Sequence, residues 1–246
     1  MFRKFRKFLW RGKILADMVN KQTEVVKNNK LGYHSPFYQP KRYEYIHIPK
    51  CGGTSIASVL TDLPNFGEHK HKPISNYDYA KIVNGDNLET RYITFLRNPI
   101  DRVWSYYQMI KRDNHYAWGR YTASLHLFLE NCWEVNNVLM QYLTLKIRQN
   151  HFDKQDFEFA HQALESFYFV GFLSRFNDDW GLLQQKLLND EGYILKNLPH
   201  LNESPKRTLP SADEVKLIQT HNHLDLMLYQ SFQKSRSKRF LSVAEF

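Results

Sequence analysis

Two segments set about fifty positions apart, Ile46-His-Ile-Pro-Lys-Cys-Gly-Gly-Thr-Ser55 and Ile93-Thr-Phe-Leu-Arg-Asn-Pro-Ile-Asp-Arg-Val-Trp-Ser105, constrain this chain more than any other feature. The first opens as a strand, because Tyr43 to Ile48 is rich in aromatic and β-branched residues and is stopped by Pro49. A helix follows. After Gly52-Gly53, Ile56, Val59, Leu60 and Leu63 fall at i, i+3, i+4 and i+7, the spacing of one buried helical face. The connection holds two glycines, Lys50 and the hydroxyls of Thr54 and Ser55. Glycines let backbone N–H groups close around an anion, and a helix N-terminus adds positive potential. The ATP-binding loop G-x-x-x-x-G-K-[ST] places its lysine after the glycines, whereas Lys50 precedes Gly52 and Gly53. Taken alone, the segment reads equally well as a phosphate cradle or as an ordinary strand-turn-helix corner.

The second segment favours the cradle. Tyr92 to Leu96 reads as another buried strand, Pro99 suits a first helical turn, and Ile100, Val103, Trp104 and Tyr107 mark the apolar face of the next helix. Arg97 falls at the strand end and Ser105 two turns into the helix. An arginine and a serine so placed clamp one anion, the arginine by a forked charge-assisted contact and the serine by its hydroxyl. Singly, Ser105 reads as a solvated helix serine and Arg97 as half of a surface ion pair.

Together the two segments resemble the cofactor-binding pair of sulfotransferases that use 3′-phosphoadenosine 5′-phosphosulfate (PAPS). The form Pro49-Lys-Cys-Gly-Gly-Thr-Ser55 is most similar to carbohydrate sulfotransferases related to the heparan 2-O-sulfotransferases and to bacterial sulfotransferases. The resemblance implies that Lys50, Gly52, Gly53, Thr54 and Ser55 hold the 5′ side of the donor and that Arg97 and Ser105 hold its 3′-phosphate. Cys51 is counted with the cofactor-binding loop but departs from the family pattern, in which threonine or serine is commoner. Glu68-His-Lys-His-Lys72 resembles the family's H-x-H-type segment, which implies His71 as the catalytic base and His69 as its neighbour or alternative. Phe169-Val-Gly-Phe-Leu-Ser-Arg-Phe176 resembles the strand and turn before a late helix. Leu198-Pro-His-Leu-Asn-Glu-Ser-Pro-Lys-Arg207 resembles a loop covering the cofactor, through which Lys206 and Arg207 would cap the nucleotide. His223-Leu-Asp-Leu-Met-Leu-Tyr229 resembles the family's final helix.

Length and patterning bound this reading. At 246 residues and 29.5 kDa the chain can build one full core. Short apolar strands at 43–48, 92–96 and 167–171 alternate with helical stretches. That pattern predicts an α/β fold, a P-loop-like and largely parallel sheet with helices on both faces in a single domain over residues 31–246. Ligands of such sheets sit at the carboxyl ends of the strands. No run approaches the ~20 apolar residues of a membrane span, and no apolar signal run opens the chain, so a cytoplasmic location is expected. The two cysteines supply no disulfide framework and have no metal-ligand spacing to the histidines, and the sulfotransferase resemblance implies a metal-independent enzyme.

The net charge of +9 is concentrated at the ends. Arg3, Lys4, Arg6, Lys7, Arg11 and Lys13 lie among the first thirteen residues. Wound as a helix, Phe2, Phe5, Phe8 and Leu9 gather on an arc free of those cations. Residues 1–30 therefore read either as a basic tail or as an amphipathic helix making a peripheral contact with an anionic membrane, at its inner face, through residues 1–13. No zinc finger, RNA-binding aromatic signature or recognition helix accompanies the charge, and no nucleic-acid partner is expected.

Sulfuryl transfer shares the demands of phosphoryl transfer: in-line approach, charge stabilisation on the leaving oxygen, and a base for the incoming hydroxyl. Lys50 suits the second role. Histidine suits the third, because its pKa lies near working pH, and His69 and His71, two apart on an extended segment, point the same way. His47, close to the core, reads as a structural histidine, and His200 is a weaker candidate base. The segment from Lys111 to Tyr142 is rich in groups that stack on sugars and bond hydroxyls. Tyr116, Trp118 and Arg120 are its candidate acceptor-binding residues, whereas Phe128 and Trp133 fit a helical core pattern. The reading is a PAPS-dependent sulfotransferase acting on a hydroxyl of a carbohydrate. Two rivals stay open, a nucleotide kinase-like phosphotransferase and a non-catalytic domain that binds nucleotides or polyanions.

Overall fold

A computed structural model describes residues 42–243 apart from 64, 71–73, 75, 87, 89, 114–116, 147, 150 and 197–207. The basic segment of residues 1–30 and its membrane-contact reading lie outside the described residues. Four parallel strands, β1 (Arg42–His47), β2 (Phe66–Lys70), β3 (Thr90–Leu96) and β4 (Phe169–Phe172), form one sheet in the order β2-β1-β3-β4. Nine helices of two turns or thereabouts and longer are described. They are α1 (Gly53–Leu60), α2 (Asn76–Asn84), α3 (Pro99–Asp113), α4 (Leu125–Asn131), α5 (Val138–Leu143), α6 (Lys154–Ser166), α7 (Phe176–Glu191), α8 (Ala212–His221) and α9 (His223–Val243).

Alternation along the strands builds a core on each face, since successive side chains of a strand point to opposite sides. Tyr43, Tyr45, Ile93, Phe95 and Phe169 pack with Ile56, Val59 and Leu60 of α1 and with Trp180, Leu183 and Leu187 of α7. Ile46, Tyr92, Leu96, Val170 and Phe172 face the other way, onto Leu139 and Leu143 of α5, Ala160 and Leu164 of α6, and Leu228 and Phe232 of α9. Helices thus cover both faces, as the strand-helix alternation predicts. A third cluster lies beside the sheet, where Val103, Tyr107 and Ile110 of α3 meet Phe128 and Leu129 of α4 and Ile218 of α8.

Two elements differ from the sequence reading. The last strand begins at Phe169, because Phe167 still donates its N–H to the Leu164 carbonyl at the end of α6. The strand β2 has no counterpart among the predicted strands. Its sequence, Phe-Gly-Glu-His-Lys, carries neither a run nor an alternation of apolar residues. Apolar alternation cannot reveal such a strand.

A buried polar knot locks the helices around the sheet. Asn137, with φ 46°, donates its N–H to Asn222 Oδ1 at 3.0 Å and accepts the Asp225 N–H on Oδ1 at 3.2 Å. The Asp225 carboxylate accepts the N–H groups of Leu139 and Met140 at 2.9 and 3.1 Å, capping α5. Arg102 of α3 is fully buried alongside and donates from Nη2 to the Val135 carbonyl at 2.6 Å. Burial pushes the Asp225 carboxyl up to about 6, against the opposing pull of Arg102 and the backbone donors. The positive charge of Arg102 thus offsets part of the cost of burying the Asp225 carboxylate charge. Asp225→Ala removes that charge and two helix acceptors together, and is expected to cost about 3–5 kcal/mol, read as a lower urea midpoint with unchanged slope. A folded-state pKa above the ordinary carboxylate value means that stability from this group is present below about pH 4 and is lost as pH rises through about 6. The same variant should lack that component of the pH dependence.

Candidate active site

The strands β1 and β3 are neighbours, with Ile46 opposite Thr94, so the residues that follow them emerge side by side at the carboxyl edge of the sheet. Thr94 fastens the pair by donating Oγ1–H to the Ile46 carbonyl at 3.0 Å. At the edge itself Arg97 donates from Nη1 to the Lys50 carbonyl at 3.2 Å. The two candidate phosphate segments are therefore joined by a direct hydrogen bond.

The loop between β1 and α1 is held in a sharp shape. Lys50 sits at φ 67° and Gly52 at φ 75°, and a left-handed lysine is uncommon because its Cβ crowds the backbone. The Cys51 N–H closes the turn onto the Ile48 carbonyl at 3.3 Å. A side chain at Gly52 would be strained by φ and would lie 3.2 Å from Leu173, just past β4. At Gly53 a methyl group would overlap the His47 ring, so the imidazole packs directly beneath the start of α1. This contact gives His47 a supporting place under the loop, in keeping with its structural reading.

The helix α1 then begins, and its first i→i−4 bond runs from Ile56 N–H to the Gly52 carbonyl at 3.3 Å. Preceding N–H groups project from the helix end, the arrangement that receives anions. Thr54 and Ser55 occupy this first turn, which carries no carboxylate. Cys51 departs from the expected role. Its side chain is fully buried in the core, burial pushes its thiol up to about 11, and its N–H is committed within the turn. Neither group is presented to a ligand.

Lys50 reaches across to α3, where its Nζ donates to Met109 Sδ at 3.5 Å. Burial, then the positive charges of Arg97 and Arg112, hold its ammonium below the ordinary lysine value, with Asp113 opposing. Ser105 and Met109 lie one turn apart on α3 and are both half-buried, so one stripe of this helix carries both the serine and the contact to Lys50. Next to that stripe, Trp104 donates Nε1–H to the Thr208 carbonyl at 2.6 Å. The chain immediately after Lys206 and Arg207 is thus fastened one residue from Ser105.

The remaining sequence candidates divide. His69 is the last position but one of β2, paired with Ile46, which brings that strand end level with the end of β1. His71, Lys206, Arg207, His200 and Tyr116 lie outside the described residues. Trp118 is partly buried and donates Nε1–H to Glu134 Oε2 at 3.1 Å, an oxygen that also accepts the Tyr106 hydroxyl. Arg120 is exposed and stacks over the Tyr121 ring at 4.8 Å. Met109 and Arg102 were not among the candidates. Met109 stands four residues after Ser105, a helical spacing that marks it as a neighbour on the same face, whereas nothing local in the sequence shows that Arg102 is buried. Among the described residues no cluster of three His, Cys, Asp or Glu side chains is arranged to hold a metal ion, and no helix is long and apolar enough to cross a membrane.

These features, a glycine-containing turn feeding a helix N-terminus and a strand-end arginine joined to it, fall within a stretch that a family model matches as a whole. The chain belongs to the sulfotransferase family, matched over residues 41–230. No curated protein matches it as a relative.

The Gly53–His47 contact gives a test of the loop's construction. Gly53→Ala is expected to destabilise the protein by about 1–3 kcal/mol through overpacking, read by chemical denaturation. Adding His47→Ala should recover part of the loss, because the imidazole is what the new methyl meets.

Proposed function

We propose that this protein transfers a sulfuryl group from PAPS to a hydroxyl of a carbohydrate acceptor. The observation that carries the reading is the Arg97–Lys50 hydrogen bond, which joins the two candidate phosphate segments at the carboxyl edge of a parallel sheet, where ligands of such folds sit. Gly52, Gly53, Thr54 and Ser55, with the N-terminus of α1, receive the 5′-phosphate. Arg97 and Ser105 receive the 3′-phosphate, with Lys206 and Arg207 closing over the nucleotide. Lys50 neutralises charge that grows on the bridging oxygen as its bond to sulfur breaks. His71, with His69 beside it in sequence, takes the proton of the acceptor hydroxyl as the new oxygen–sulfur bond forms. Adenosine 3′,5′-bisphosphate and a sulfate ester leave. Tyr116, Trp118 and Arg120 supply stacking and polar groups for a sugar, and the Glu134 bond orients the Trp118 indole.

Binding is tested by thermal shift. Adenosine 3′,5′-bisphosphate should stabilise the protein more than 5′-AMP does, by the worth of a charged hydrogen bond, about 1.5–3 kcal/mol. Arg97→Ala should abolish the difference, and equal stabilisation of the unaltered protein by the two nucleotides would remove the donor assignment. Binding without any transfer of labelled sulfate to a panel of glycans would instead indicate a nucleotide-binding domain.

Turnover tests the two catalytic roles. His71→Ala should lower kcat by about 10²–10⁴ while bisphosphate binding persists; the matching loss in a His69 variant alone would exchange the two roles. Lys50 must be protonated to act, and its folded-state pKa lies below the ordinary lysine value. The alkaline limb of kcat/KM, which reports the free enzyme, should accordingly fall below about pH 10.4, and Lys50→Arg should move that limb upward.

A further inference from the structure

The geometry points to Met109 as a positioning residue that holds the Lys50 ammonium over the leaving group, an inference that rests on the catalytic reading of Lys50. Three observations converge on it. The Lys50 backbone is fixed at φ 67° and its carbonyl is tied to Arg97, so the side chain starts from a rigid base. Its Nζ then meets Met109 Sδ at 3.5 Å on α3. And Met109 follows Ser105 by four residues, about 6 Å along the helix at 1.5 Å per residue. The same helix that offers a hydroxyl for the 3′-phosphate therefore sets where the ammonium stands.

The chemistry of the partner matters. A thioether is a weak acceptor and a polarizable, apolar packing surface. A carboxylate in its place would neutralise Lys50 in the resting protein and compete with the leaving oxygen. Met109 keeps the chain in place and gives up little when charge develops elsewhere. The groups facing Lys50 are Arg97 at the end of β3, Arg112 and Asp113 on α3, and Cys51 beside it in the loop. Arg112 and Asp113 form a forked pair, Nε to Oδ1 at 2.6 Å and Nη2 to Oδ2 at 3.0 Å, which tempers the field of Asp113 on the lysine.

Met109→Leu tests the inference, since leucine nearly conserves volume and removes the acceptor. Two readouts are needed. Reductive methylation of Lys50, followed by mass spectrometry across pH, should show its midpoint rising toward the solvent lysine value as the ammonium moves into water. In sulfuryl transfer, kcat should fall by about ten- to a hundredfold, the scale of a small misplacement, while KM for the donor and stabilisation by bisphosphate hold within about twofold. In a Lys50→Ala background the Met109→Leu change should alter kcat by less than about twofold, the signature of a residue acting through another. An unmoved methylation midpoint overturns the positioning role, and so does a moved midpoint with unchanged kcat. Absence of transfer by the unaltered protein would overturn the proposed function instead, while methylation still decides whether Met109 places Lys50.

Discussion

The pairing of β1 with β3 is the constraint on which the site depends. Parallel strands bonded in register, Ile46 opposite Thr94, leave little freedom in where their ends emerge. The Thr94 hydroxyl bonded to the Ile46 carbonyl sits just below the edge, and the Arg97 bond to the Lys50 carbonyl sits at it. A single register therefore sets the distance between the N-terminus of α1 and Arg97, the two groups proposed to receive anions. A slip by one residue would turn Tyr45 and Ile46 to the wrong faces, so the two cores that bury them enforce the alignment of the site.

The helix α3 carries that alignment outward. On its inner side Arg102 is fully buried beside the Asn137–Asn222–Asp225 knot, and Val103, Tyr107 and Ile110 pack on α4 and α8. On its half-exposed side lie Ser105 and Met109. A helix pinned by buried polar bonds has fewer alternative seatings than one held by apolar packing alone, because shifting it would strand donors and acceptors without water. The knot thereby acts on the position of Ser105 and Met109 without touching a ligand. Trp104, on the same helix, fastens the chain at Thr208.

Much of this was legible in the sequence, and the exceptions have physical causes. The strands β1 and β3 announce themselves through buried aromatic and β-branched residues, and α1 through Ile56, Val59 and Leu60, because burial on one face or on both dictates residue type. The strand β2, Phe-Gly-Glu-His-Lys, lacks that signal. Within the candidate site, the order of Lys50, Gly52 and Gly53 announced a tight connection, and the left-handed φ of 67° at Lys50 and 75° at Gly52 describes one. The place of Cys51 was not legible, since nothing in the order Lys-Cys-Gly shows that the turn aims the thiol into the core. Arg102 was hidden for a related reason: its buried place depends on Val135 and on Asp225, far along the chain. Contacts between sequence neighbours can be anticipated from spacing, while those between distant residues depend on a topology that local pattern does not carry.

The order of residues in the loop has its own consequence. When a lysine follows the glycines, it belongs to the helix and extends from the same end as the N–H groups that bind phosphate. Here Lys50 precedes Gly52 and leaves from a left-handed turn, so its side chain crosses to α3 and ends at Met109. Backbone donors and ammonium then approach from different elements. A phosphate seated on the helix end need not consume the lysine, whose charge stays available for an oxygen further along the bound chain. This separation suits a reaction in which one group is retained by the protein and the next is passed on. It also accounts for the strain at Lys50, because a right-handed lysine at that position would start in another direction, away from the helix that receives it.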